Sequence, residues 1–141
     1  IRTNSTRCKA HDVPYTALAT DLTYASTTPD FVYISPNLCN DMHSCSIGTG
    51  DTWLKNQLPK IFNSPAWTTE NSVLFLTWDE DDFTTTNQVA TVVIGPSAKA
   101  GYRSTTTYNH YGLLHTIESS WGLAALTSND GGATKLSDFW R

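Results

Sequence analysis

No apolar run in the 141 residues approaches the ~20 positions that a membrane-spanning helix needs. The longest, over residues 72–78, has the length of a strand. Basic residues are scarce: nine Lys and Arg against 13 Asp and Glu leave a net charge of −4 and a pI near 5.4. Binding a nucleic-acid backbone needs a basic face, so nucleic acid is excluded as a partner. A small phosphate ester is not excluded, because a bound metal ion supplies positive charge locally. There is no signal-peptide pattern, no internal repeat and no low-complexity tract. The Gly-x-Ser-x-Gly elbow and the P-loop are both missing, so no nucleophile or nucleotide cradle stands out. An initiating methionine is missing too. The chain opens on Ile1, which we read as a processing or cleavage boundary with more chain expected before it.

Cysteine is present three times, as Cys8, Cys39 and Cys45. Cys39 and Cys45 are close enough for a small disulfide loop, which leaves Cys8 free or paired upstream. Pairing of Cys8 with either of the others remains open from the sequence. Zinc is disfavoured, because the Cys39-x5-Cys45 spacing with one histidine between lacks the four ligands of a structural site. Asn4-Ser5-Thr6 is a glycosylation sequon. With the odd thiol and a surface rich in Ser and Thr, it points to a secreted, extracellular protein.

The hydrophobic fraction of 39% supports one compact domain, not two. Residues 16–25 read as a short helix and 31–35 as a strand. Asp51 is the expected N-cap of a helix running to residue 62, with Leu54, Leu58, Ile61 and Phe62 on one face. Residues 72–78 form a continuous apolar run, the pattern of a strand covered on both faces in a parallel sheet. Strand, helix and strand in that order predict a βαβ unit. A third strand is expected over 88–94. Asn109 is placed to cap a helix carrying Leu113, Leu114, Ile117 and Trp121, and Leu136, Phe139 and Trp140 are expected to pack back from the tail. The alternation sets the class as α/β, with a mostly parallel sheet and flanking helices.

Three constellations carry potential chemistry. Asp79 and Glu80 end the most apolar strand, where ligands of open α/β sheets bind. Adjacent carboxylates repel unless a cation neutralises them, and hard oxygen donors suit one divalent or transition metal ion. The bland alternative is a solvated acidic loop, which Asp81 and Asp82 fit better. The segment 36–43 follows the preceding strand and is expected at the same sheet edge. It places His43 to bind a phosphoryl oxygen, ligate the metal or move a proton, with Asp41 and Asn37 as substrate-binding neighbours. His110 stands at a helix start, which favours anions, so it either faces the phosphate or supports the site. His115 is expected to contact Glu118 or solvent, and His11 is given no role.

Five stretches together resemble the phosphoesterase family of the alkaline-phosphatase superfamily, which includes secreted acid phosphatases and phospholipase C-type enzymes. They are PDFVYISPNLCNDMHSC (29–45), GDTWLKNQLPKIFNSPAW (50–67), VLFLTWDEDD (73–82), QVATVVIGP (88–96) and YNHYGLLHTIESSWGL (108–123). They occur in family order and cover most of the chain, as the C-terminal part of a single phosphoesterase domain. The resemblance implies an alkaline-phosphatase-like fold and hydrolysis of phosphate esters. It implies that Asp79 and Glu80 hold the metal, that His43 lies near the phosphate, and that a Glu-Asn metal pair and a Ser or Thr nucleophile come from a missing N-terminal segment. The chain alone is then expected to be inactive. Two other readings stand beside it: a truncated, non-catalytic chain that at most binds metal or a partner, and a carbohydrate- or calcium-binding module using loop 79–82.

Overall fold

A computed structural model describes residues 5–81, 83 and 86–141. The chain divides after Glu70 into two compact units, and each is taken by itself.

The first unit is helical. It contains α1 (Ser5–His11), a 3-10 turn (Tyr15–Ala17), α2 (Leu18–Asp21), a second 3-10 turn (Ala25–Thr27), α3 (Ile47–Phe62) and α4 (Pro65–Thr69). The helix expected over 16–25 is thus broken into short turns. Thr27 and Thr28 cause the break: both side-chain hydroxyls donate to the Asp21 carbonyl and fold the chain back on itself. Helix α3 starts earlier than Asp51 suggested. Ser46 is its cap, accepting the Thr49 N–H at 3.3 Å, and Asp51 lies inside the helix. The end of α3 at Phe62 agrees with the sequence. Ser64 caps α4 at once by accepting the Trp67 N–H, with Pro65 at a position that needs no donor.

Segment 31–35 does not pair as a strand. It is extended, with Phe31 55%, Val32 42% and Tyr33 82% exposed. Its β-branched and aromatic residues favour a ladder, but a strand exists only where a neighbour supplies hydrogen bonds.

The second unit holds β1 (Leu74–Thr77), β2 (Thr91–Ile94), α5 (His110–Ser120), α6 (Ser128–Gly131) and a 3-10 turn (Ser137–Phe139). The two strands pair antiparallel, from Leu74 opposite Ile94 to Thr77 opposite Thr91. The class is therefore mixed helix and sheet, as expected. Among the described residues the sheet is this two-stranded antiparallel ribbon, and the predicted βαβ unit is not formed. The paired lengths are also shorter than the runs 72–78 and 88–94. A two-stranded ribbon cannot cover both of its faces, and all four β1 residues are only half-buried.

The tail closes this unit, as its apolar residues predict. Leu136 is 3% exposed, and Ala98 pairs with Trp140 in an isolated bridge. Phe75 meets Trp140 edge-on, and Phe139 packs on Tyr102 and Tyr108. Gly112 lets the returning chain approach α5: a Cβ there would lie 2.4 Å from the Thr134 carbonyl oxygen. Among the described residues no helix is long and apolar enough to cross a membrane.

Candidate active site

Asp79 and Glu80 lie in a bend directly after β1, and both are exposed. No described residue bonds to either carboxylate. The backbone beside them is fixed from α5, because His110 Nε2 lies 2.8 Å from the Asp79 carbonyl oxygen. A carbonyl only accepts, so Nε2 is the donor in this contact. Asn109 makes this contact possible by capping α5, where its side chain accepts the Gly112 N–H at 3.0 Å. The structure thus brings His110 to the end of the strand that carries the acidic pair. Asp81 shapes the following loop instead, accepting the Phe83 N–H at 2.9 Å, and Asp82 lies outside the described residues.

His43 belongs to the first unit. Cys39 and Cys45 form a disulfide that closes the loop carrying it, and Cys8 is free and half-buried. Asn37 Oδ1 accepts the backbone N–H groups of Cys39 and Asn40, so its carboxamide oxygen organises the loop entrance. Asp41 Oδ1 accepts the His43 N–H at 2.8 Å, orienting the main chain of His43 and not its ring. Met42 between them has φ 77°, a left-handed turn that aims the loop. The imidazole is exposed, with Nδ1 3.2 Å from Ser44 Oγ. The shared sheet edge that was to join His43 to Asp79 rested on a strand at 31–35, which has no ladder.

Among the described residues no group of three or more His, Cys, Asp or Glu side chains is placed to hold a metal ion. Asp79 and Glu80 still fit one chemically, as two adjacent, exposed hard-oxygen donors without a side-chain partner among the described residues. They supply part of a coordination sphere.

Sequence reasoning missed Asp138. Its carboxylate accepts from Ser104 Oγ at 2.6 Å, Tyr108 OH at 2.6 Å and Tyr102 OH at 3.0 Å, while Lys99 Nζ donates to its carbonyl oxygen. Tyr108 precedes the Asn109 cap, so this cluster ties the start of α5 to the tail. The Ser104 and Tyr108 hydroxyls hold the Asp138 carboxyl below the usual carboxylate range. Burial, reinforced by the bond to Asp138, pushes the Tyr108 phenol up, so it donates as a neutral hydroxyl. Asp130 is a second such group, 1% exposed. The Thr127 hydroxyl, helped by backbone N–H groups, holds its carboxyl low. The Thr127-x-x-Asp130 spacing of a capping box was the available signal. His115 also differs from expectation: its Nδ1 lies 2.8 Å from the Ala133 carbonyl oxygen.

These two carboxyls set a pH prediction. A depressed folded pKa adds stability above the unfolded value, near 3.9, and that stability is lost as pH falls through the folded value. Thermal melts are expected to hold level from neutral pH to about 5 and to fall below about 4. Asp138→Asn is expected to melt lower at neutral pH and to flatten the acid slope, leaving the share due to Asp130. An unchanged slope would remove Asp138 from the account.

The profile of the Phosphoesterase family matches residues 2–124, a span that includes His43, Asp79, Glu80 and His110. A phosphatidylinositol-3-phosphatase of Mycobacterium tuberculosis is 37% identical over 129 residues, covering 91% of this chain and 41% of the relative. An acid phosphatase of Aspergillus fumigatus is 30% identical over 112 residues, covering 77% of this chain and 25% of the relative. A phosphate-repressible acid phosphatase of Penicillium chrysogenum is 30% identical over 126 residues, covering 86% and 30%. The chain therefore spans well under half the length of these curated relatives. No solved structure matches it significantly.

Proposed function

The chain belongs to the Phosphoesterase family, and on that premise we propose that the protein hydrolyses phosphate esters at a metal-assisted site to which Asp79 and Glu80 contribute ligands. The observation that carries this reading is the exposed, adjacent carboxylate pair directly after β1, with His110 bonded to the Asp79 carbonyl. Several relatives named as phosphatases support the reaction class.

When bound, a divalent metal ion polarises a phosphoryl oxygen and stabilises the charge that builds there. The chain's own groups do the rest. Asp79 and Glu80 bind and orient. His110 fixes the Asp79 backbone through Nε2–H. His43, in the first unit, carries an exposed imidazole on a loop closed by a disulfide, a group chemically suited to hydrogen-bond a phosphoryl oxygen. The nucleophile and the remaining metal ligands are assigned to the part of the relatives' length that this chain does not span. The same part is proposed to supply a strand neighbour for segment 31–35. The Cys39–Cys45 disulfide favours an oxidising, extracellular compartment.

Chelation tests the reaction class. The protein expressed from its complete gene is expected to release phosphate from p-nitrophenyl phosphate, to lose that activity after EDTA dialysis, and to regain it with one divalent metal. Full activity in the chelated protein would contradict the reading.

A further inference from the structure

The first unit contains a shallow, open cleft of about 500 Å³ between the disulfide-closed loop and the first three turns of α3. Its walls are Asn40 and Ser46 from the loop and Thr49, Thr52, Trp53 and Asn56 from the helix. The four helix positions are spaced three, one and three apart, which puts them on one face. None of these side chains is charged, so the cleft has nothing to balance a phosphate or a carboxylate. What it offers is a set of neutral hydroxyls and amides around an indole.

The hydrogen-bonding capacity is partly committed and partly open. Thr52 Oγ1 donates to the Gly48 carbonyl at 2.7 Å, and the hydroxyls of Ser46 and Thr49 lie 3.1 Å apart. Each keeps lone pairs to accept from a ligand. Among the described residues the carboxamides of Asn40 and Asn56 have no partner, and each offers both a donor and an acceptor. Trp53 is half-buried, and Tyr15 holds it from the side, with ring centroids 5.6 Å apart. Tyr15 is tied in turn to α3 through its hydroxyl on Gln57 Oε1 at 3.1 Å. The indole is therefore oriented in advance, which lowers the entropy cost of stacking a ligand on it.

We infer that this cleft binds an uncharged cyclic polyol, with the ring's apolar face against Trp53 and its hydroxyls bridging Asn40 and Asn56. A sugar or inositol ring has that combination of a C–H face and an edge of hydroxyls that both donate and accept. An acyclic alcohol lacks the face, and a free phosphate lacks it too and brings a charge that the uncharged lining does not balance. Asn40 belongs to the same Cys39–Cys45 loop as Asp41 and His43.

The test is binding, read separately from turnover. The indole N–H signal of Trp53 in the protein expressed from its complete gene, assigned with Trp53→Phe, is followed by NMR during titration with myo-inositol, glucose, glycerol and inorganic phosphate. A saturable shift is expected with the cyclic polyols, with Kd on the order of millimolar for so open a site. Tighter binding of myo-inositol points to an inositol ring as the occupant, and tighter binding of glucose to a sugar ring. Asn40→Ala and Asn56→Ala, both surface changes, are each expected to weaken binding about fivefold, the worth of one hydrogen bond. Three results would overturn the inference: no saturable shift, equal binding of glycerol, or alanine variants that bind like the parent. A protein that turns over phosphate esters while Trp53 stays silent would overturn this inference alone. A polyol-binding chain whose complete protein hydrolyses no phosphate ester would overturn the reaction and leave the cleft standing.

Discussion

Alanine at Asp79 is expected to lower kcat/KM for p-nitrophenyl phosphate by roughly 10³-fold in the protein expressed from its complete gene. A metal acting as Lewis acid contributes several kcal/mol to stabilising the transition state, and each 1.36 kcal/mol is a factor of ten. Removing one of two adjacent carboxylate ligands forfeits most of that. The loss should fall mainly on kcat, because the charge being stabilised develops in the transition state. Folding should change little, since the Asp79 side chain is exposed and its structural contact is made by the backbone carbonyl. Asp79→Asn keeps the shape and loses the charge, so it should fall between parent and alanine. Asp81→Asn serves as a control: it alters the loop without touching the proposed ligand pair, and activity should stay within a few-fold of the parent. Equal losses at Asp79 and Asp81 would mean that the loop as a whole matters, not a ligand pair.

The second large effect is on stability. Leu136→Ala is expected to cost about 2–5 kcal/mol in urea unfolding, the range for truncating a buried leucine. The upper half of that range is favoured here. Ala66, Ala98 and Leu136 are the buried apolar residues among those described, and Leu136 is the only large side chain of the three. The Leu136 N–H donates to the buried Thr116 hydroxyl at 2.8 Å, and its side chain lies against the face of α5 that Gly112 leaves open. A loss under 1 kcal/mol would show that the tail contributes little to the second unit.

What the sequence disclosed depended on whether the decisive partner was close along the chain. The Asn109 cap of α5 acts over three residues, and the expected helix formed. Leu136, Phe139 and Trp140 were expected to pack back because a polar tail leaves large apolar side chains nothing else to do, and they did. The end of α3 at Asn63-Ser64-Pro65 was local chemistry as well. Its start was not legible, because Gly48 and Gly50 disfavour a helix by propensity, yet Ser46 follows the Cys39–Cys45 closure and captures the Thr49 N–H. Strand 31–35 failed for a different reason. Composition says that a segment fits a sheet, but pairing is decided by another segment. The same gap turned an expected parallel arrangement into an antiparallel ribbon, since orientation is a property of the pair.

The site shows the same division. The carboxylates after β1 and the histidine at the start of α5 were legible one by one. Their meeting through the Asp79 carbonyl was not, because it depends on how the second unit folds. Asp138 gave no signal at all. An isolated Asp near a chain end reads as a solvated charge, and only the fold brings Ser104, Tyr102 and Tyr108 around it. Asn37 and Asp41 were expected to meet substrate, and in the structure both spend a side-chain oxygen on their own loop.

Metal content tests the central claim most directly. The complete protein, purified without chelator and analysed by inductively coupled plasma mass spectrometry, is expected to carry about one divalent metal per chain. The Asp79→Ala Glu80→Ala double variant, folded by circular dichroism, is expected to carry almost none. A double variant that retains the parent's metal would contradict the assignment of these two carboxylates as ligands.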